Sequence, residues 1–413
     1  MSMELKQVIS ALGLSEAAYC ALHPLWAEHH SRWDGKVPAF AETAFLEKWY
    51  PLVHGPSWEE FLPRVEAVQT LLRKMPELSA YLAFLHEVTY CRPGVFLCKE
   101  LTPPVPLGEN EGVFNFMLGL SSAPLIEENC RRRGIPLSYA HDALKWLGGT
   151  IVIYKLAHNA IPGMTFSQTH WLKYHVDGRL YRIGRLEYLM HPYPEWAPLV
   201  FRADDGRIAA MCAPNLCLGA DGLAVHGGVP DSAVKVVSFV REEGTNVIGI
   251  PLDGEGYARI AETLTVDRRE FRPVASPWDL VPSIHIPGGE RMPLTAVEES
   301  LREAFAFFRK YLHREVPMFV CNSWILNPAF RKFAQEGNMA AFQRRFHCAP
   351  GVRGNDNRDG MFFAFGHQNT APTAQPPQTK LQRMLQQVYE AEGTLRTGAM
   401  YILPEDLNPS SAV

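Results

Sequence analysis

The spacing of apolar residues changes once along this chain, near Trp171, and that change limits the folds open to it. Before it, apolar positions recur every three or four residues, which buries one stripe of a helix. Trp58 to Lys74 shows this through Phe61, Leu62, Val65, Val68, Leu71 and Leu72, with Ser57 and Glu60 reading as a capping box. Ser138 to Ala157 reads as another helix, open to interruption at Gly148-Gly149. After Trp171 the period shortens toward two, with Asp177-Gly178 and Asp205-Gly206 placed like hairpin turns. The first separates Trp171–Val176 from Leu180–Met190, and the second separates Leu199–Arg202 from Arg207–Cys212. Further strands are predicted at Val234–Val240, Ala258–Val266, Leu280–Ile286, Met318–Ser323, Met361–Phe365 and Ala399–Leu403. Helices are predicted at Thr295–Leu312, Pro328–Phe346 and Lys380–Glu392. The expectation is an α+β protein with a mainly helical domain over 1–170 and a mixed sheet with packed helices over 171–413. Asn369–Gln378 reads as an exposed loop and Asn408–Val413 as a frayed tail.

A chain of 413 residues exceeds one ordinary core, in keeping with two units. No run of eighteen apolar residues is present, so no membrane partner is expected, and Met1–Gly13 lacks the pattern of a secretory signal. A cytoplasmic location is the default reading. The eight cysteines are scattered without a CxxC pair, and His23, His29 and His30 lack HxxxH spacing, so thiols are expected reduced and no metal is expected. A formal charge of −4 offers no field for nucleic acid, and Arg131–Arg133 and Arg344-Arg345 read as solvated helix faces.

Three segments could carry chemistry. In Leu280–Thr295, His285 stands on the opposite strand face from Ile284 and Ile286, Pro287-Gly288-Gly289 breaks the strand, and Thr295 with Glu298 reads as a capping box. A helix start after a glycine turn can hold phosphate with help from Arg291, although the cap and nearby glutamates compete with it. His285 could act as a base or be structural. In Met318–Pro328, Cys321 and Ser323 share one face, Asn322 and Trp324 the other, and Asn327-Pro328 reads as a helix start. Either Cys321 or Ser323 could be a nucleophile, but no GxSxG elbow surrounds the serine and a packed thiol is the plain alternative. In Leu180–Leu189, alternation through one continuous strand would put Arg185 and Glu187 on one face, as a base or as an ion pair.

Taken together, His285-Ile286-Pro287, the run Cys321 to Pro328, Asn338 with Phe342 and Phe346, and Arg185-Leu186-Glu187 resemble a bacterial acyltransferase-domain family. Its members pair a helical N-acyltransferase N-terminal domain with a GNAT-like C-terminal domain. The resemblance covers nearly the whole chain through short motifs. It implies acyl transfer from acyl-CoA or acetyl-CoA to a small-molecule amine or peptide acceptor, with a homodimer left open. Glu187, His285, Cys321 and Ser323 would then be catalytic candidates. Ile284, Ile286, Pro287, Gly288, Gly289, Arg291 and Thr295 would hold the cofactor. The Arg/Gln-x-x-Gly-x-Gly/Ala phosphate loop common in such enzymes is not matched by Gly288-Gly289-Glu290-Arg291. A non-catalytic binding protein and a Ser/Cys hydrolase using His285 are the competing readings.

Overall fold

The computed structural model describes residues 3–30, 33–92, 101–225, 231–351, 358–367, 371–372 and 376–407. Half of the predicted loop at 369–378 and the whole tail at 408–413 lie outside those residues. The chain divides into two compact units, one of residues 1–182 with 287–290, the other of 183–286 with 291–413.

The first unit contains the helices α1 (Leu5–Leu12), α2 (Glu16–His30), α3 (Thr43–Trp49), α4 (Trp58–Lys74), α5 (Pro76–His86), α6 (Glu111–Leu120), α7 (Ala123–Arg132), α8 (Leu137–Ala157) and α9 (Thr169–Val176). The three-and-four spacing of α4 buries Phe61, Val65, Val68 and Leu72, as expected of an amphipathic helix. Ser57 caps α4 through the amide of Glu60, while the Glu60 carboxylate reaches Lys155. Gly148 and Gly149 do not interrupt α8, which runs unbroken through 21 residues. A side chain at Gly148 would collide with the carbonyl of Val53, so that glycine permits close packing. The segment Asp177-Gly178 ends α9 and is not a hairpin: Gly178 is left-handed at φ 67° just past the helix. The predicted strand Trp171–Val176 is therefore helical, part of α9.

The second unit is built on a six-stranded sheet of order β1-β2-β11-β12-β14-β13. Its strands are β1 (Leu180–Ile183), β2 (Leu186–Pro192), β11 (Leu280–His285), β12 (Phe319–Ser323), β13 (His347–Pro350) and β14 (Gly398–Ile402). Of its registered pairs, β11 with β12 is parallel and β2 with β11, β12 with β14 and β13 with β14 are antiparallel. Between β2 and β11 the chain forms β3 (Leu199–Ala203), β4 (Ile208–Met211), β5 (Cys217–Leu218), β6 (Val236–Val237), β7 (Val240–Glu243), β8 (Asn246–Gly249), β9 (Leu264–Asp267) and β10 (Phe271–Pro273), in three small sheets. The Asp205-Gly206 hairpin is present as the antiparallel pair β3/β4. The strand predicted at Val234–Val240 is split between β6 and β7, and that at Ala258–Val266 survives only at its end as β9.

Helices α10 (Leu294–Leu312), α11 (Phe330–Phe333), α12 (Asn338–Arg345), α13 (Arg358–Phe365) and α14 (Lys380–Glu392) complete the unit. The single helix predicted at Pro328–Phe346 is broken before Gly337, the extended residue that precedes α12. Met361–Phe365 is helical rather than a strand, because a short apolar run has no period that separates the two. The helix predicted at Lys380–Glu392 is present with those ends, and Thr379 and Gln382 form its full capping box.

One sheet face carries α10. Tyr188 lies 5.0 Å from Phe319 and 6.2 Å from Phe308, and Phe305 lies 4.2 Å from Phe319. Burying each such side chain contributes about 1.5–3 kcal/mol. Ser300 donates to the carbonyl of Ile183, so its oxygen is left to accept from the Tyr188 hydroxyl at 2.8 Å. On the opposite face Val281, Met318, Val320, Tyr401 and Leu403 form a core with Ala197 and Val200.

Candidate active site

The polar end of that second face begins at a hairpin. Gly184, with φ 57°, and Arg185 make a two-residue turn between β1 and β2, a geometry that glycine tolerates at no steric cost. The single strand expected over Leu180–Met190 is therefore two strands. Arg185 sits in the turn, where its Nε donates to the carbonyl of Arg291 at 2.9 Å. Glu187 is in β2, almost fully buried at 1% exposure.

Antiparallel register sets His285 of β11 directly opposite Glu187 of β2. Opposed side chains share a face with Cβ atoms about 5 Å apart. Burial is the main cause that pushes the His285 imidazole down to about 4; Glu187 pulls the other way and His191 pushes down with it. The ring is thus neutral at physiological pH and able to accept a proton.

The next strand adds a third polar residue. Ser283 is level with Val320 across the parallel β11/β12 pair, and period-two alternation then puts His285 and Asn322 on the same face, two positions further on. Glu187, His285 and Asn322 are a polar row at the carboxyl ends of two parallel strands, where ligands of open α/β sheets commonly bind. The parallel pair is registered at that one position, whereas β11 registers with β2 from Leu280 to His285 and β12 with β14 from Phe319 to Ser323. Asn322 was visible in sequence only as the neighbour of Cys321 and Ser323. Its place in the row depends on the register of three strands distant in sequence.

Cys321 and Ser323 are on the other face. Cys321 is 1% exposed, its thiol donates to the carbonyl of Ile284 at 3.3 Å, and burial pushes it up to about 12. Ser323 Oγ accepts from the amide of Ile325, capping a short 3₁₀ turn at Trp324–Leu326. The four predicted catalytic residues therefore fall into two pairs separated by the sheet. Asn327, read as a helix start, accepts from the amide of Ala329 at 3.0 Å.

Of the residues expected to hold the cofactor, Ile284 is buried on the α10 side and Ile286 follows the strand end. The capping box predicted at Thr295 and Glu298 is absent. Helix α10 begins at Leu294, its N-cap is Pro293, and no side chain caps it. Glu298 instead pairs with Arg302 at 2.9 Å and Arg345 at 2.6 Å. The start of α10 thus presents amides without a capping side chain, no acidic residue in its first turn, and exposed Arg291 and Thr295 beside it. Pro287 to Glu290 group with the helical unit. There Gly289 is left-handed at φ 85°, a Cβ on Gly149 would stand 3.1 Å from the carbonyl of Gly288, and Glu290 pairs with Arg182 at 2.7 Å. The left-handed backbone accounts for Gly289 in the turn, and the close backbone approach for Gly149. Among the described residues no group of three or more His, Cys, Asp or Glu is arranged to hold a metal, and no helix is long and apolar enough to cross a membrane.

Comparison with known proteins agrees with this architecture. No curated protein matches the chain. Three solved structures share its fold: an acyltransferase in complex with decanoyl-CoA and teicoplanin, an acyltransferase in complex with decanoyl-CoA, and a mutant acyltransferase in complex with octanoyl-CoA. The first is 17% identical with a TM-score of 0.61, covering 97% of this chain and 99% of that one. The second is 18% identical at 0.60 and the third 17% at 0.62, each covering 97% of this chain and 100% of the other. The family model for the GNAT-like C-terminal domain matches residues 180–401, from β1 through nearly all of β14. That span is more than half of the sequence, and the chain belongs to the family with a GNAT-like C-terminal domain.

Proposed function

We propose that this protein is an acyl-CoA-dependent acyltransferase that acylates an amine, with Glu187 and His285 together receiving the proton. The observation that carries this reading is the register of His285 against buried Glu187, at the carboxyl end of the one parallel strand pair registered in the main sheet. A neutral imidazole beside a carboxylate takes a proton as the amine attacks the thioester carbonyl, and the carboxylate stabilises the imidazolium formed. The N–C bond forms, the C–S bond breaks, and the CoA thiolate leaves and is protonated. Asn322 stands in the same row with an amide able to hold a carbonyl or an acceptor group. The uncapped start of α10, with Arg291 and Thr295, supplies donors for phosphate. The relatives in fold solved with octanoyl-CoA and decanoyl-CoA support including medium-chain donors.

Release of CoA thiol, followed with acetyl-, octanoyl- and decanoyl-CoA against a panel of amines, is the test. Turnover with at least one pair, lost in both Glu187→Gln and His285→Gln, is expected. Absence of turnover with every pair, or undiminished turnover in both variants, would sink the reading. The hydrolase alternative is disfavoured because Cys321 and Ser323 do not share a sheet face with His285.

A further inference from the structure

A second group of reactive side chains lies within the helical unit. Helix α5 ends at His86 and passes directly into a π-helical turn, Glu87–Cys91. On an α-helix a residue five positions on is turned ~140° away from the first. In a π turn, which bonds residue i to i+5, it stands over the first, and such turns are frequent at functional sites. The result is that Cys91 Sγ lies 3.8 Å from His86 Nε2, with Cys91 exposed.

The other ring nitrogen sets the tautomer. His86 Nδ1 is 2.7 Å from Ser121 Oγ, and Ser121 gives its one hydroxyl proton to the carbonyl of Leu118 at 2.6 Å. The serine oxygen therefore accepts from Nδ1–H, which leaves Nε2 unprotonated and facing the thiol. We infer that Cys91, His86 and Ser121 form a second nucleophilic site, at which Cys91 accepts an acyl group from a thioester with His86 as its base. The thioester class rests on the acyl-transfer reading above; the nucleophile does not.

In the step, the thiol proton passes to His86 Nε2 as sulfur bonds the acyl carbon, and the imidazolium returns that proton to the departing thiolate. The surroundings hold both groups in their neutral forms at rest. Burial, opposed by Glu87, pushes His86 down to about 4, which keeps it neutral. Burial and Glu87, opposed by Lys173, push the Cys91 thiol up, so that it needs a base to react. Glu87 pairs with Arg92, Arg92 also pairs with Glu28, and fully buried Lys173 donates to the carbonyl of Arg92 at 2.7 Å. Tyr90 and Phe40 pack against the imidazole.

Cys20, the other exposed cysteine among the described residues, is an internal control. The full-length protein is treated with iodoacetamide between about pH 6 and 8, and separately with the acetyl thioester of N-acetylcysteamine, and each cysteine is read by peptide mass spectrometry. An unassisted thiol reacts about tenfold faster per pH unit as thiolate accumulates. Cys91 is expected to change less than about threefold over that range, because a neutral base is already in place, and to be acetylated in preference to Cys20. His86→Gln should restore the steep profile, and Ser121→Ala should do so in part. A steep Cys91 profile in the unsubstituted protein, which needs no variant to fold, overturns the base. A flat profile without acetylation overturns the thioester assignment. The probe thioester carries no nucleotide, so failure of acyl-CoA binding elsewhere leaves both readouts intact.

Discussion

The two faces of the six-stranded sheet are made by the same strands and behave as different materials. One face packs Tyr188 and Phe319 against α10, with the Tyr188 hydroxyl paired to Ser300, and carries Cys321 beside them. The other begins as a core around Val281 and Val320 and becomes polar at Glu187, His285 and Asn322. Adjacent residues along β11 and β12 belong to opposite faces, so Cys321 packs behind the sheet while its neighbour Asn322 joins the polar row. A buried carboxylate facing a half-buried imidazole costs desolvation, a cost that the packed face does not bear.

The comparison is broken most directly by kinetics. Glu187→Gln or His285→Gln should lower kcat for CoA-thiol release by about 10²–10⁴, the usual contribution of a positioned base. Cys321→Ala, one strand away on the other face, should leave kcat essentially unchanged; a comparable loss there would remove the distinction between the faces. On the packed face the corresponding loss is in stability. Phe319→Ala should cost about 3–5 kcal/mol in urea unfolding. A cost below about 1 kcal/mol would mean that α10 is not held as described.

Acid is expected to separate the faces by a somewhat smaller amount. His285 has its folded value pushed down from 6.5 to about 4, so the unfolded chain binds more protons between those values. Its neutral form therefore contributes stability that is complete above about pH 6.5 and is lost as pH falls through about 4, on the order of 3 kcal/mol. Unfolding of His285→Gln should show a shallower acid slope than the unsubstituted protein, and an identical slope would contradict the neutral ring. The smallest effect concerns helix starts. Thr295→Ala should change stability by less than about 0.5 kcal/mol because Thr295 caps nothing, while Thr379→Ala, which removes a formed capping box, should cost about 1 kcal/mol.

Local signals served where the physics is local. The stripes of α4 and α10, the ends of α14 and the hairpin at Asp205-Gly206 follow from neighbours within a few residues. Asp177-Gly178 misled because the same dipeptide closes hairpins and ends helices, and only the helical backbone of Thr169–Val176 separates the two uses. The turn at Gly184-Arg185 carried a legible sign, a glycine before a polar residue between two short apolar runs. Reading through it placed Arg185 in a strand. Glu187 and His285 were both visible as candidates, but nothing in the sequence joined residues 98 positions apart.

The sequence by itself determined that the chain is helical first and sheet-forming later, that β11 leads into α10, and which residues alternate to which side of each strand. Periodicity and turn chemistry are short-range, so they are written in consecutive residues. Only the tertiary structure decided that Glu187 opposes His285, that Asn322 is level with them, that Cys321 and Ser323 lie behind the sheet, and that a π turn sets Cys91 over His86. Strand order and register depend on which distant segments bury apolar area together, and one residue of slip would move every side chain to the other face.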